Sequence, residues 1–178
     1  MNGQATTRSK RREVLETSIF GLLFLGQAVI CVLFYNWAGL HYLAYMGWAF
    51  LAVGFFALGG PARGAFQRRG GAKERKDWLQ TQRIVESGVY AVTRHPMYLS
   101  FMIYVAALML IAQHWLSVLL GGPIFVYLYV SMCAEERINL DKFGDAYRDY
   151  MRRVPRMNVF VGLFRLALQR RSRFSSLS

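Results

Sequence analysis

Two long blocks of this sequence contain no Asp, Glu, Lys or Arg, and they constrain the fold more than any other feature. The blocks cover residues 17–62 and 95–134, and a third, short block covers residues 157–164. A helix needs about 20 consecutive apolar residues to cross the hydrocarbon layer of a membrane. Because each long block holds roughly twice that number, each predicts a helical hairpin that crosses the membrane twice.

Each long block is interrupted near its middle by residues that favour a turn at the lipid headgroups. Asn36-Trp37-Ala38-Gly39-Leu40 interrupts the first block and His114-Trp115 interrupts the second. Asn and Gly favour turns, and Trp prefers the interface between membrane and water. The sequence therefore predicts four membrane-spanning helices, at residues 17–35, 41–59, 97–113 and 116–134.

The charged residues are distributed so that this topology places all of them on one side of the membrane. Of the 22 Lys and Arg, four lie in residues 1–16, eight in 63–94 and ten in 135–178, and all ten acidic residues lie in the same three segments. The two turns carry no charge. Since basic loops stay in the cytoplasm, both termini are predicted to be cytoplasmic.

The expected fold class is all-α integral membrane, with residues 1–178 forming a single domain. A net charge of +12 next to a bilayer favours contact with anionic lipid headgroups, so the lipid bilayer is the expected partner and nucleic acid is not. The domain comprises a first helical hairpin, a cytoplasmic loop, a second hairpin, and a cytoplasmic helix with a basic tail that includes an interfacial segment. These parts cover residues 17–59, 60–96, 97–134 and 135–178. Glycine in the spans permits helix association without requiring it, which leaves the oligomeric state open.

The topology returns two chemically notable patches to one bilayer face: Arg94-His95-Pro96-Met97-Tyr98 and Glu135-Glu136. Proline favours the first turn of a helix, so the third span is predicted to begin at Pro96. Acids at the end of a membrane helix need water or a partner. They are consistent with a hydrated helix end, or with a carboxylate that binds a cationic group while Arg94, His95 and the helix N-terminus bind an anionic one.

The residues around these patches predict further structure. Leu140, Phe143, Tyr147 and Tyr150 have helical spacing and predict a packed stripe that Gly144 weakens and Pro155 ends. Residues 159–168 predict an interfacial helix. Gly121-Gly122-Pro123 predicts a kink or a close helix contact. Cys31 and Cys133 are interpreted as packing residues, and no metal site is predicted.

A long ordered pattern resembles the isoprenylcysteine carboxyl methyltransferase family and the related phospholipid methyltransferases. It begins with Ser87-Gly88-Val89-Tyr90-Ala91-Val92-Thr93-Arg94-His95-Pro96-Met97-Tyr98 and continues with Glu135-Glu136, Leu140, Phe143-Gly144, Tyr147, Tyr150 and Val154-Pro155. Proteins of this family are integral-membrane enzymes that use S-adenosylmethionine. The resemblance therefore implies transfer of a methyl group to a lipophilic or amphipathic acceptor, similar to an isoprenylcysteine carboxylate or a phospholipid.

The resemblance also implies roles for individual residues. Glu136 and Arg94 are the catalytic candidates, with Glu136 as the partner of the first acid and as a proton acceptor if the methyl acceptor is an amine. Independently of the resemblance, Arg153 and Arg156 are candidate contacts to the substrate headgroup, although contact with lipid is the more common role of an arginine next to the membrane. The residues implied to bind S-adenosylmethionine are Gln82, Arg83, Ile84, Val85, Tyr90, His95, Pro96, Met97, Tyr98 and Glu135.

Two positions depart from the family pattern, and two other functions remain open. Ser100 stands where many relatives have Gly, and Ser131 stands where the eukaryotic isoprenylcysteine enzymes have an Arg linked to the substrate. Membrane sterol reductases, which use NADPH, have a similar Arg-His-Pro patch, but an Arg-Asp-Glu type cluster tends to replace the paired Glu. A membrane scaffold without enzymatic activity is the second alternative. Cys133-Ala134-Glu135-Glu136 favours the methyltransferase over the reductase, whereas the scaffold would bind neither cofactor and would tolerate His95→Ala.

Overall fold

The computed structural model describes residues 2–69 and 83–175, and every regular element within these ranges is helical. The predicted all-α class is thus confirmed for this part of the chain. In chain order the elements are α1 (Asn2–Leu33), α2 (His41–Val53), a π-helical segment (Gly54–Gly59), α3 (Gly60–Arg69), a 3-10 helix (Gly88–Ala91), α4 (Pro96–Ala112), α5 (Trp115–Phe143), α6 (Asp145–Arg153) and α7 (Val159–Ser175).

Several helix boundaries fall where the sequence predicts them. Helix α2 begins at His41 and α4 begins at Pro96. Pro96 suits this position because its missing N–H lies in the first turn, where no intrahelical acceptor exists. The turn between α4 and α5 includes Gln113, whose φ is 54°. Helix α1 begins well before residue 17 and α7 continues beyond residue 168, because basic residues at these ends are compatible with a helix in water.

Two helical stretches among the described residues are long and apolar enough to cross a membrane. They are His41–Arg68, with 28 residues, and Trp115–Phe143, with 29 residues. The stretches Ser18–Leu33 and Pro96–Ala112 are apolar but shorter. Both are long enough to cross the hydrocarbon layer, which requires about 20 residues.

The described chain divides into two compact units. The first contains the residues up to Leu51 together with Met102–Tyr129, and the second contains Ala52–Phe101 and the residues from Val130 onward. Each unit thus joins segments that are distant in the sequence.

In the first unit, the two uncharged turns are hydrogen-bonded to each other. The backbone N–H of Asn36 donates to the carbonyl of Ile111 at 2.8 Å, and that of Trp37 donates to the carbonyl of Ala112 at 3.1 Å. The Gln113 amide adds a bond from Nε2 to Asn36 Oδ1 at 2.8 Å. These bonds satisfy backbone groups that the helix ends leave without partners.

Small residues allow close helix packing in the first unit. A Cβ on Gly121 would overlap the Met109 side chain, so the predicted close contact at Gly121-Gly122-Pro123 is confirmed, while α5 continues through Pro123. Cys31 is buried with Ile111 and Ala112, as a packing residue should be. The buried Gln27 donates to Ser117 Oγ at 2.7 Å, which reduces the cost of its burial.

In the second unit, Gly144 ends α5 and allows α6 to turn away from it. Its φ of 54° is in the region that glycine adopts most easily. The change of direction brings Tyr147 and Tyr150 of α6 into a buried cluster with Val154 and the partly buried Ile84. The predicted stripe therefore packs against the segment that precedes the 3-10 helix.

Candidate active site

The Arg94-His95 patch is held in the second unit by the loop that follows α6. The backbone N–H of Arg94 donates to the carbonyl of Pro155 at 3.0 Å, and that of His95 donates to the carbonyl of Arg156 at 3.3 Å. The buried Thr93 hydroxyl donates to the same Arg156 carbonyl at 2.8 Å. Residues about 60 positions apart in the sequence are therefore fixed beside each other immediately before α4 begins.

A buried carboxylate connects this patch to α5. Glu136 Oε1 accepts hydrogen bonds from Arg94 Nη2 at 2.8 Å, His95 Nε2 at 3.1 Å and Arg156 Nε at 3.2 Å. Its Oε2 accepts from Arg156 Nη2 at 2.5 Å. The side chain of Glu136 is only 4% exposed. We refer to Arg94, His95, Glu136 and Arg156 as the ion cluster.

The ion cluster keeps Glu136 ionised. Glu136 lies beyond the uncharged part of α5, which ends at Ala134. Burial by itself raises the pKa of Glu136, but hydrogen bonds from His95 and Arg156, together with the charge of Arg94, lower it to about 2. A carboxylate with so low a pKa and with both oxygens occupied is poorly suited to accept a proton at neutral pH. The geometry favours Glu136 as a residue that positions the cations around it.

One nitrogen of the Arg94 guanidinium has no hydrogen-bond partner among the described residues. Its Nη1 donates to the carbonyls of Met151 and Val154 at 2.8 and 3.2 Å, and its Nη2 donates to Glu136. The Nε of this buried side chain has no partner within the described residues. Since an unpaired buried donor costs free energy, Arg94 is suited to bind an acceptor group of a ligand.

A pocket lies beside the ion cluster, with Arg94 and His95 in its wall. It is open to solvent, and its empty space, open mouth included, is about 570 Å³. Its wall combines apolar, aromatic and charged groups. The lining residues are Phe66, Arg83, Ile84, Val85, Tyr90, Arg94, His95, Glu135, Ile138, Asn139, Phe143, Tyr147 and Tyr150.

Glu135 provides the negative charge of the pocket. No hydrogen bond or ion pair engages its carboxylate within residues 2–69 and 83–175. Burial, followed by the negative charge of Glu135, raises the pKa of Tyr90, and burial also raises the pKa of Tyr147 and Tyr150. The three phenols therefore stay neutral at physiological pH. The pocket is thus lined by a carboxylate without a partner in the described part of the chain and by Arg94, whose buried Nε has no partner there either.

Most of the residues implied by the resemblance to bind a cofactor meet at this pocket. Arg83, Ile84, Val85, Tyr90, His95 and Glu135 line it, as does the catalytic candidate Arg94. Gln82 lies outside the described residues. Three others are placed around α4 without lining the pocket: Pro96 is buried at its start, the Met97 carbonyl accepts from Ser100 Oγ, and the Tyr98 ring meets His95 edge-on, with centroids 5.7 Å apart.

The two candidate substrate arginines lie in different surroundings. Arg156 belongs to the ion cluster, and its Nη1 also lies 3.9 Å from Cys133 Sγ. Arg153 lies at the surface, where its Nη2 donates to Glu86 Oε2 at 3.0 Å and its side chain is 53% exposed. Arg153 is therefore the more exposed of the two, since the side chain of Arg156 is 36% exposed.

Sequence reasoning did not assign several of the pocket residues to a site. Phe66, Ile138 and Asn139 carried no signal, because their contribution depends on how distant segments pack. Phe143, Tyr147 and Tyr150 were predicted as a packed stripe but not as a pocket wall. Their helical spacing directly after Glu135-Glu136 was the signal that could have identified them as neighbours of the two carboxylates.

Replacement of Tyr150 by phenylalanine is expected to loosen the pocket wall. The Tyr150 hydroxyl donates to the Tyr90 carbonyl at 2.8 Å and thereby holds the 3-10 helix against α6. Loss of such a bond costs about 0.5–1.5 kcal/mol, so we expect several-fold weaker binding of a ligand that occupies this pocket. Tyr45→Phe, at a side chain that is 70% exposed, is the control. A lower thermal stability with unchanged ligand binding would mean that Tyr150 has a structural role only.

Part of the chain is similar in sequence to known methyltransferases. Residues 74–146 match the family model described as phospholipid methyltransferase. Over 113 residues, the chain is 29% identical to protein-S-isoprenylcysteine O-methyltransferase of Schizosaccharomyces pombe. This alignment covers 58% of this chain and 46% of the relative. Over 67 residues, the chain is 39% identical to methanethiol S-methyltransferase 1 of Bradyrhizobium diazoefficiens. This second alignment covers 37% of this chain and 22% of the relative. No solved structure matches the chain.

These matches agree with the resemblance found in the sequence. Residues 74–146 are similar to phospholipid methyltransferases, and both curated relatives are named as methyltransferases. The matched region includes Arg94, His95, Glu135 and Glu136 and thus most of the ion cluster. The chain spans less than half the length of either curated relative.

Proposed function

We propose that this protein is an integral-membrane methyltransferase that moves a methyl group from S-adenosylmethionine to a lipophilic or amphipathic acceptor. The observation that carries the proposal is that one pocket is lined by Glu135, whose carboxylate has no partner among the described residues, and by Arg94, whose buried Nε has none there either. A ligand with a cationic centre and a carboxylate complements this pair of charges.

S-adenosylmethionine fits the residues of the pocket. Its sulfonium and ammonium groups would be held by Glu135, and its carboxylate by Arg94 with His95. Ile84, Val85 and the aromatic residues of the wall suit the nucleoside part, because base rings stack favourably on apolar and aromatic side chains. When bound, the cofactor supplies a methyl group on a positively charged sulfur.

The chemistry that the protein must provide is alignment. Direct displacement of a methyl group from sulfur requires the acceptor atom in line, and such positioning can supply several kcal/mol of the barrier or more. A carboxylate or thiolate acceptor needs no base. An amine acceptor would have to lose its proton to Glu135 or to solvent, because both oxygens of Glu136 are engaged in the ion cluster.

The proposed topology has four spans with cytoplasmic termini and a cytoplasmic active site. Two observations support it. The uncharged turns after α1 and α4 are hydrogen-bonded to each other in the first unit. The charged segments that contain Arg94, Glu136 and Arg156 meet in the second unit. Both are expected if the turns share one bilayer face and the charged segments share the other.

The acceptor is proposed to reach the site from the bilayer. Arg153 is the better candidate for contact with its headgroup, since its side chain is half exposed. Arg156 is proposed to hold Glu136 and, through it, Arg94. The curated relatives are named for O-methyl and S-methyl transfer, and an ester or thioether product is compatible with a site in which Glu136 is not available as a base.

Cofactor binding tests this proposal. We expect purified protein to bind S-adenosylmethionine and not NADPH in a calorimetric titration, and Glu135→Gln to weaken binding at least about tenfold, since a hydrogen bond to a charged group is worth about 1.5–3 kcal/mol. Asp149→Asn, an exposed acid of α6, is the matched control. Binding of NADPH instead would favour the reductase, and binding of neither would favour the scaffold. Wild-type affinity in Glu135→Gln would refute the role given to that carboxylate.

A further inference from the structure

Helix α7 packs directly against the segment that leads into the active site. Gly162 is buried, and a Cβ at this position would overlap the backbone carbonyl of Val92. The backbone of α7 therefore touches the backbone of Val92, which immediately precedes Thr93, Arg94 and His95. Asn158 fixes the start of the helix, because its Oδ1 accepts from the N–H of Val161 at 3.0 Å.

The opposite face of α7 is apolar and exposed. Phe160 is 87% exposed and Phe164 is 66% exposed, and Leu163 and Leu168 are each 51% exposed. Because successive residues of an α-helix are about 100° apart, these four side chains share one face, and Gly162 lies on the other side of the helix. We call Phe160, Leu163, Phe164 and Leu168 the apolar stripe.

The charges of α7 are all of one sign. The helix contains Arg165, Arg170, Arg171 and Arg173 and no acidic residue. Arg165 is exposed at the side of the apolar stripe and donates to the Arg152 carbonyl at 3.3 Å. Apolar residues on one face and arginines along the same helix are typical of helices that lie in the headgroup region of a membrane.

The length of the apolar part excludes a fifth membrane crossing. The uncharged run around the start of α7 covers only residues 157–164, whereas a crossing needs about 20 residues. A surface position satisfies both features, because the apolar stripe contacts acyl chains while the arginines contact anionic headgroups.

We propose that α7 binds the headgroup region of an anionic bilayer through the apolar stripe and thereby braces Val92 and the active-site residues that follow it. The lipid surface fixes α7, and α7 in turn fixes the backbone from Val92 to His95 through Gly162. The proposal depends on the membrane location of the protein and does not depend on methyl transfer.

Spin labels on the full-length protein test the position of α7. In a background with Cys31 and Cys133 replaced by alanine, a label is attached at Phe164→Cys or, as a control, at Arg148→Cys, an exposed position of α6. The protein is reconstituted in phosphatidylcholine vesicles with and without phosphatidylglycerol. We expect the label at residue 164 to be accessible to oxygen and shielded from a water-soluble nickel reagent, more so with phosphatidylglycerol, and the label at residue 148 to show the reverse.

Two results would overturn the proposal. One is equal accessibility of both labels to the water-soluble reagent, which would place the apolar stripe in water. The other is shielding of residue 164 by protein, seen as an immobilised label with low access to both reagents whatever the lipid. Because neither measurement uses S-adenosylmethionine, failure of this proposal is distinguishable from failure of the proposed methyltransferase function.

Discussion

Replacement of Glu136 by glutamine is expected to lower the free energy of unfolding by about 3–5 kcal/mol. Glutamine has the same shape, but it leaves the buried Arg94 guanidinium and its neighbour Arg156 without a counter-charge. Thermal unfolding in detergent or nanodiscs measures the effect. The same variant should lose cofactor binding, because Arg94 and His95 are no longer held at the pocket.

The control is an acid whose ion pair lies at the surface. Asp149→Asn removes the contact with Arg152, in which both side chains are more than half exposed. Surface pairs contribute about 0–1 kcal/mol, so this variant should unfold close to the wild-type temperature. If Glu136→Gln is as stable as Asp149→Asn, the ion cluster does not hold the second unit together.

Replacement of Gly162 by alanine is expected to be the second most harmful change. The new methyl group would overlap the Val92 carbonyl, and a backbone oxygen cannot rotate away as a flexible side chain can. Overpacking typically costs about 1–3 kcal/mol. Since Val92 leads into Arg94 and His95, we also expect a lower rate of methyl transfer.

Gly122→Ala is the matched control for this change. It is a helical glycine of α5 at which an added Cβ would meet no atom within 4 Å. Alanine is about 0.8–1.0 kcal/mol more favourable than glycine in a helix interior, so this variant should be at least as stable as the wild type. Equal stability and activity of Gly162→Ala and Gly122→Ala would contradict the close packing of α7 against the backbone of Val92.

Local signals predicted a large part of the fold. The absence of charge marked the apolar segments, and Pro96 marked the start of α4. Gly144 and Pro155 marked the break after α5 and the end of α6. Each of these residues acts on its own backbone or on its immediate neighbours, so its effect can be derived without knowing the tertiary structure.

The division of roles between the two adjacent glutamates could not be derived in this way. Neighbouring residues of a helix point about 100° apart, so Glu135 faces the pocket while Glu136 meets Arg94, His95 and Arg156. The sequence identifies the pair as unusual. Which of the two carboxylates is paired depends on the rotation of α5 against segments 20 and 42 residues away.

The involvement of Arg156 also required the structure. In the sequence it is one of several juxtamembrane arginines, and contact with lipid or substrate is a reasonable expectation for each of them. The loop after α6 returns the Arg156 carbonyl to Thr93 and His95 and its guanidinium to Glu136. Long-range backbone hydrogen bonds of this kind leave no local pattern in the sequence.

Transfer of labelled methyl groups tests the central claim most directly. Membranes that contain the wild-type protein, Glu135→Gln or Asp149→Asn are incubated with methyl-labelled S-adenosylmethionine and separated into organic, protein and volatile fractions. We expect label to appear in one fraction with the wild type and Asp149→Asn, and to fall at least about tenfold with Glu135→Gln, and that fraction identifies the class of acceptor. Equal transfer by Glu135→Gln would contradict the account.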